Sequence, residues 1–182
     1  MKLDRNIWLI SDTHFFHEKI LTFTDGATGE LIRGSRFANV TEMNECMADN
    51  WVSTVKKDDI IYHLGDVMIG PKEEFLTLFN KLPGRKRLIL GNHDDAKFLV
   101  QNNVFQKVLM WRMFPEMGLL LSHVPLHESS LRHGNPHDPN VKTMLNVHGH
   151  IHQNLSPTIN HRNVSVEAIN YTPINIEEIR IK

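Results

Sequence analysis

Cysteine is all but absent: Cys46 is the only one in 182 residues, so no internal disulfide can form and a reducing compartment is the natural expectation. A lone thiol of this kind is expected to pack rather than react. Charge of one sign is lacking too, with Lys and Arg at 20 against Asp and Glu at 21 and a formal net charge of -1. No long basic run can track a polynucleotide backbone, so general nucleic-acid binding is not expected. A small phosphorylated substrate, nucleotides included, stays open because local metal charge can outweigh the chain total. The apolar stretch after Met1–Asn6 is broken by Ser11, Asp12 and His14, too soon for a membrane span or a signal-peptide core. The cytoplasm is the expected location, with no membrane partner. Repeats, linkers and low-complexity tracts are missing as well, and residues 1–182 read as a single domain able to bury a substantial core.

What the chain does have is strand-like apolar runs ending abruptly in polar residues. Ile7 to Ile10 stops at Ser11-Asp12-Thr13-His14, Ile60 to Leu64 at Gly65-Asp66, and Leu88 to Leu90 at Gly91-Asn92-His93-Asp94. Helical patterns lie between them. Asn39 and Glu42 form a capping pair before Met43, Met47, Trp51 and Val55, with Ala48 and Val52 alongside. A short helix is expected through Ile20 and Leu21, and Pro71 opens another before Pro83-Gly84. Thr24 to Gly34 reads as a turn-rich loop or small hairpin, and Gly84-Arg85-Lys86-Arg87 as a solvated basic turn. The second half offers strand candidates at Val104–Phe114, Gly118–Ser122, Asn146–Val147 and Val164–Ile169, with turns at Gly134-Asn135-Pro136 and Asp138-Pro139. The pattern predicts an α/β layered sandwich of two mixed β-sheets flanked by helices.

The unusual number is 12 histidines, and the question is whether they converge. Asp12 and His14 would face one cavity if the extended backbone continues through Thr13. Asp66 can present its two oxygens to separate cations, although an Asp after Gly65 also suits a loop cap. Asn92 offers an amide oxygen, His93 a proton donor and Asp94 a carboxylate to orient it, although a tight turn has the same spelling. His123 ends the run Leu119–Ser122. His150 and His152 alternate in His148-Gly149-His150-Ile151-His152 and would project in one general direction; neutral imidazoles suit Zn, Fe or Mn. Together these segments carry enough ligands for two cations, whereas His17, His63 and His148 read as supporting residues. Arg33, Arg36, His127 and His133 are candidates for gripping phosphate or lining a substrate rim.

On these residues the chain resembles a small, single-domain bacterial or phage-type calcineurin-like metallophosphoesterase, with Asp12/His14, Gly65-Asp66, Gly91-Asn92-His93-Asp94, His123 and Gly149-His150-Ile151-His152 in the family's order. The resemblance implies that Asp12, His14 and His152 hold one metal, that Asn92, His123 and His150 hold a second, and that Asp66 bridges them. It places His93 outside the ligands, against the substrate phosphate, with Asp94 behind it. The activity implied is hydrolysis of phosphate esters, diesters first, by a hydroxide held between two transition-metal ions (Mn, Fe, Zn, Co or Ni), with His93 assisting the leaving group. Phosphomonoesters and nucleotide pyrophosphates are alternative substrates. A nuclease, or a non-catalytic metal-stabilised binding protein, is compatible with the same ligands.

Overall fold

The computed structural model describes residues 6–132, 134 and 142–180. His133 and the turns expected at Asn135-Pro136 and Asp138-Pro139 lie outside the described residues. The first half contains β1 (Ile7–Ile10), α1 (Val40–Thr54), β2 (Ile60–His63), α2 (Lys72–Phe79), β3 (Arg85–Ile89), α3 (Ala96–Gln101) and β4 (Lys107–Leu109). It is followed by β5 (Trp111–Phe114), β6 (Leu119–Ser122), β7 (Leu145–His148), β8 (His161–Asn163), β9 (Ile174–Asn175) and α4 (Ile176–Arg180). One sheet runs β4-β3-β2-β1-β9, the other β5-β6-β7-β8. β1 to β4 are parallel and β9 antiparallel to β1; β6, β7 and β8 are parallel, with β5 antiparallel to β6.

Period-two alternation divides the apolar residues between two layers. Ile7, Leu9, Tyr62, Leu64 and Ile89 meet Phe114, Leu119, Leu121 and Val147 between the sheets. Ile10, Ile61 and Leu88 point the other way, against the helices. α1 answers them with Met43, Met47 and Trp51, all fully buried one helical turn apart, each contributing about 1.5–3 kcal/mol by removal from water. Its start is fixed by Asn39 Oδ1, which accepts from the Glu42 amide at 2.9 Å, while Glu42 Oε2 accepts from the Ala38 amide at 2.8 Å. Val52 departs from the expected stripe and is 55% exposed.

Other departures have local causes. The Val104–Phe114 run is two strands in two sheets, because the chain crosses between sheets at Met110; a change of ladder partner leaves no mark on hydrophobicity. The Val164–Ile169 run is mostly turns, with the Ala168 amide donating to Ser165 and that of Ile169 to Val166. Val164 and Val166 are buried without belonging to a strand. The basic segment is not a turn: Arg85, Lys86 and Arg87 pair with Ile60, Ile61 and Tyr62 as the first half of β3. Their chains find local partners, as in the 2.7 Å bond from Arg87 Nη1 to the Tyr62 hydroxyl. Among the described residues no helix is long and apolar enough to cross a membrane.

Parallel strand order gathers the candidate ligands. β1, β2 and β3 share a direction, so Asp12, Asp66 and Asn92 all leave the same edge. β6 and β7 do the same for His123 and for His150 and His152.

Candidate metal centre

The strand exits are not extended. Asp12, His14, Asp66, His150 and His152 have positive φ values of 57, 46, 57, 70 and 51°, a region non-glycine residues enter at a cost. The expectation that His150 and His152 project in one general direction is therefore corrected, since they enter separate clusters, whereas Asp12 and His14 do share one. The turns are held by backbone bonds from the Asp12 amide to Gly65 O (3.0 Å), from His14 to Asp66 O (3.0 Å) and from Gly149 to His123 O (2.8 Å). Glycine is needed where these loops touch. A Cβ on Gly65 would lie 2.6 Å from both Gly91 Cα and His123 Nδ1, and one on Gly149 would strike Ser11 Oγ and Asp12 Oδ2.

Two groups of ligand-type atoms result. Asp12, His14 and His152 converge so that one atom from each lies within 4.8 Å of the others, and Asp66, His123 and His150 do the same. Asp12 Oδ2 accepts from the His150 amide at 2.9 Å and from Ser165 Oγ at 3.0 Å. Asp12 Oδ1 and both ring nitrogens of His14 are buried with no hydrogen-bond partner among the described residues. Burial pushes the Asp12 carboxyl up, although the imidazoles of His152 and His123 pull against it. Burial, then the Arg33 charge, push His14 down and keep its imidazole neutral. An unpaired buried carboxylate oxygen beside a neutral imidazole is costly alone and well suited to a cation.

At the second group, Leu64 O lies 2.7 Å from His123 Nδ1 and fixes the proton there. His123 Nε2 then turns its lone pair toward Asn92 Oδ1 at 2.8 Å and Asp66 Oδ2 at 3.5 Å. Such atoms repel unless a proton or a cation lies among them; burial alone would lower the His123 pKa, but Asp66 and Asp12 raise it. Asp66 Oδ2 also lies 3.8 Å from His14 Nε2, so one oxygen faces a histidine of each group. The donor sets fit two ions of the transition-metal class.

Beneath the ligands lies a layer that reading of the sequence missed. Glu167 Oε1 accepts from His152 Nδ1 at 2.9 Å and from Arg33 Nε at 2.7 Å. Burial works to raise the Glu167 carboxyl, but Arg33 and His152 outweigh it and hold it at about 2. The carboxylate fixes the His152 tautomer and leaves Nε2 as its donor atom. The one available signal was a charged residue inside the apolar run Val164–Ile169, which has to find a buried partner. Arg33 is that partner and not a phosphate grip. It has no solvent exposure, and its other nitrogens donate to Asp12 O at 2.6 Å and Thr13 O at 3.0 Å.

Asp94 is also corrected. Its oxygens accept from the backbone amides of Val67 (2.9 Å), Asp66 (3.1 Å) and Gly91 (2.8 Å), stapling the β2 and β3 exits. None of its described bonds reaches the His93 ring, so it does not orient that ring. His63 ties the β1 and β2 exits: Gly65 N donates to its Nδ1 at 3.2 Å, which leaves Nε2 to donate to Thr13 Oγ1 at 2.9 Å. Burial pushes its pKa down to about 3.

His93 itself is exposed. Its amide donates to Asp66 Oδ1 at 2.9 Å, and its ring centroid lies 5.9 Å from that of His14. Arg36 donates to Asn170 Oδ1 at 2.6 Å and lies 4.7 Å over the Tyr171 ring. His127 is exposed and caps the turn Glu128–Leu131 through the Ser129 amide. His148 is buried within β7, 2.9 Å from Gly149 O, in neither cluster.

A layered pair of mixed sheets with acidic and imidazole ligands at a shared edge describes a class, and likeness to known proteins defines it. The sequence model of the calcineurin-like phosphoesterases matches residues 5–176, and the chain belongs to that family, whose members typically bind two metal ions. The chain is 31% identical over 195 aligned residues to an uncharacterised protein of Methanocaldococcus jannaschii, covering 96% of this chain and 89% of that one. The gene 66 protein of Mycobacterium phage L5 is 32% identical over 183 residues, covering 87% of this chain and 82% of its own. A crystal structure of a protein of unknown function from Aquifex aeolicus superposes with a TM-score of 0.71 at 28% identity, over 97% of this chain and 98% of that one.

Proposed function

We propose that the chain hydrolyses phosphodiesters at a paired-metal centre. The observation that carries this reading is Asp66 Oδ2, 3.8 Å from His14 Nε2 and 3.5 Å from His123 Nε2. Asp12, His14 and His152 would hold one ion, Asn92, His123 and His150 the other, and Asp66 both. When bound, such a pair supplies Lewis acidity to the phosphoryl oxygens and lowers the pKa of water.

The remaining work falls to the chain. His93 is fixed at its backbone by Asp66 and stands exposed beside His14, outside both ligand sets. Its ring is free to hold a proton for the leaving oxygen, a role worth about 10²–10⁴-fold in rate. A diester is favoured because it carries one negative charge where a monoester carries up to two. Arg33 is buried and Arg36 is engaged with Asn170 and Tyr171, so neither is displayed to a dianion. Arg85 faces Asp58 at 3.9 Å and Arg87 bonds Tyr62; Arg85 opens β3 and Arg87 is its middle residue, whereas Asn92 lies beyond the strand's other end. That separation counts against the basic groove a nuclease would need.

The test is to load metal-free protein separately with Mn, Fe, Co, Ni and Zn and assay monoesters, cyclic and linear nucleotide diesters, pyrophosphates and short nucleic acids. Diesters should lead. A higher kcat/KM for monoesters or pyrophosphates would overturn the diester assignment, and no turnover at full metal loading would sink the enzymatic reading. His93→Ala should keep its metal content and lose about 10²–10⁴-fold in turnover.

A further inference from the structure

A cleft of about 350 Å³ opens beside the second cluster, its lining including Asn92 and His123 together with Met110, Trp111, Val124 and Leu126. Its volume lies within the range of small-ligand pockets. Asn92, Ser122 and His123 are its polar side chains, and among the described residues none that line it is Lys, Arg, Asp or Glu. Met110 and Trp111 are each 62% exposed and Val124 40%. The chain thus displays three large apolar side chains next to a site for a charged ester, a placement with no benefit to folding.

The position follows from the topology. Met110 is the residue at which the chain passes from β4 to β5, and so from one sheet to the other. Trp111 is paired across the ladder with Ser122, the neighbour of His123. The Leu90 amide, donating to Leu109 O at 2.8 Å, ties the end of β4 to the exit of β3. The indole is therefore held on the seam, within a residue of a metal ligand. Trp51 is fully buried and Trp8 is half-buried with its Nε1 donated to Asp59, so Trp111 is the most exposed of the three tryptophans.

We infer that this cleft is a subsite for the base of a nucleotide ester, stacked on Trp111 while its phosphate lies at the metal centre. The described lining offers no Lys or Arg to pair a second phosphate or a carboxylate, and a flat indole beside a thioether matches a flat heteroaromatic ring. The inference rests on the hydrolase reading for the location of the phosphate. It goes beyond that reading in naming the group attached to it.

The test compares adenosine 5′-monophosphate with ribose 5-phosphate, which carries the same phosphate and lacks the base, by equilibrium dialysis against Mn-loaded protein. The nucleotide should bind at least about tenfold more tightly, because stacking on one aromatic side chain is worth that much. Trp111→Ala should erase the difference, Trp111→Phe should retain most of it, and Met110→Gln should weaken the nucleotide alone. Equal binding of the two probes, or a preference that survives in Trp111→Ala, overturns the subsite; if Trp111→Ala does not fold, Met110→Gln decides. Dialysis needs no turnover. Failure of every ester to react would thus defeat the hydrolase reading without touching this result, and equal binding with intact diester turnover would remove the subsite alone.

Discussion

Glu167 shows how a residue can matter to the centre without touching an ion or a substrate. It holds His152 by Nδ1 and is itself held by Arg33. Glu167→Gln keeps an acceptor in place but removes the charge, and should weaken metal binding about 10–100-fold, read by titration with a metal indicator. Affinity unchanged from the parent protein would show that the bond to His152 is incidental. Arg33→Ala should cost about 3–5 kcal/mol of unfolding free energy, because it strands the Glu167 carboxylate in the interior. Arg33→Lys should not restore it, since an ammonium cannot serve Glu167, Asp12 O and Thr13 O with one planar fork. A change confined to KM, with stability intact, would return Arg33 to the phosphate-binding role expected from its loop. That expectation failed because sequence position shows neither depth nor partner. Asp12, His14, Asp66, His123, His150 and His152, which the fold gathers into two groups, stood out as candidates for a different reason: any one polar residue ending an apolar run could cap a loop, but several such endings together point to one shared edge.

At the scale of elements, the strands that end in ligands were readable and those that merely change partner were not. β1 and β2 stand out because an apolar run stops at a glycine or a polar residue, whereas the break at Met110 falls inside a continuous run. β9 has only two residues, too few for any periodicity. The ends of β1 and β2 remote from the metal edge are joined by Asp59, which accepts from Trp8 Nε1 and the Lys56 amide at 2.9 Å and from Asn6 Nδ2 at 3.3 Å. Burial works to raise this carboxyl, but the Lys56 amide, the indole and the Asn6 amide outweigh it and hold it below its ordinary 3.8. Its folded pKa is thus lower than its unfolded one. The stability it contributes is complete above the unfolded value and is lost as pH falls through the folded one. Asp59→Ala should cost about 1–3 kcal/mol at neutral pH by leaving buried donors unmet. Asp59→Asn should flatten the fall of Tm below about pH 4, and an acid limb identical to the parent's would show that Asp59 does not contribute to it.

For the whole molecule, the decisive feature is that each ligand group draws on both sheets. Asp12 and His14 follow β1 while His152 follows β7; Asp66 follows β2 while His123 and His150 follow β6 and β7. The sheets already meet through Leu9, Tyr62, Leu121 and Val147, and ions at the seam would add a second, polar fastening at one edge. Each ion that binds the folded chain alone stabilises it by about 2.7 kcal/mol at a free-ion concentration a hundred times Kd, so two ions contribute about 5.4 kcal/mol. For a chain of this size that is roughly 11–22 °C in Tm. Chelation should therefore lower Tm by about that amount, and Asp66→Ala, which removes the carboxylate common to both groups, should abolish most of the difference. The apolar contact between the sheets is untouched by either change, so unfolding should stay cooperative in both states. A Tm indifferent to chelation, in protein shown by metal assay to carry two ions per chain, would mean that the ions do not join the sheets at all.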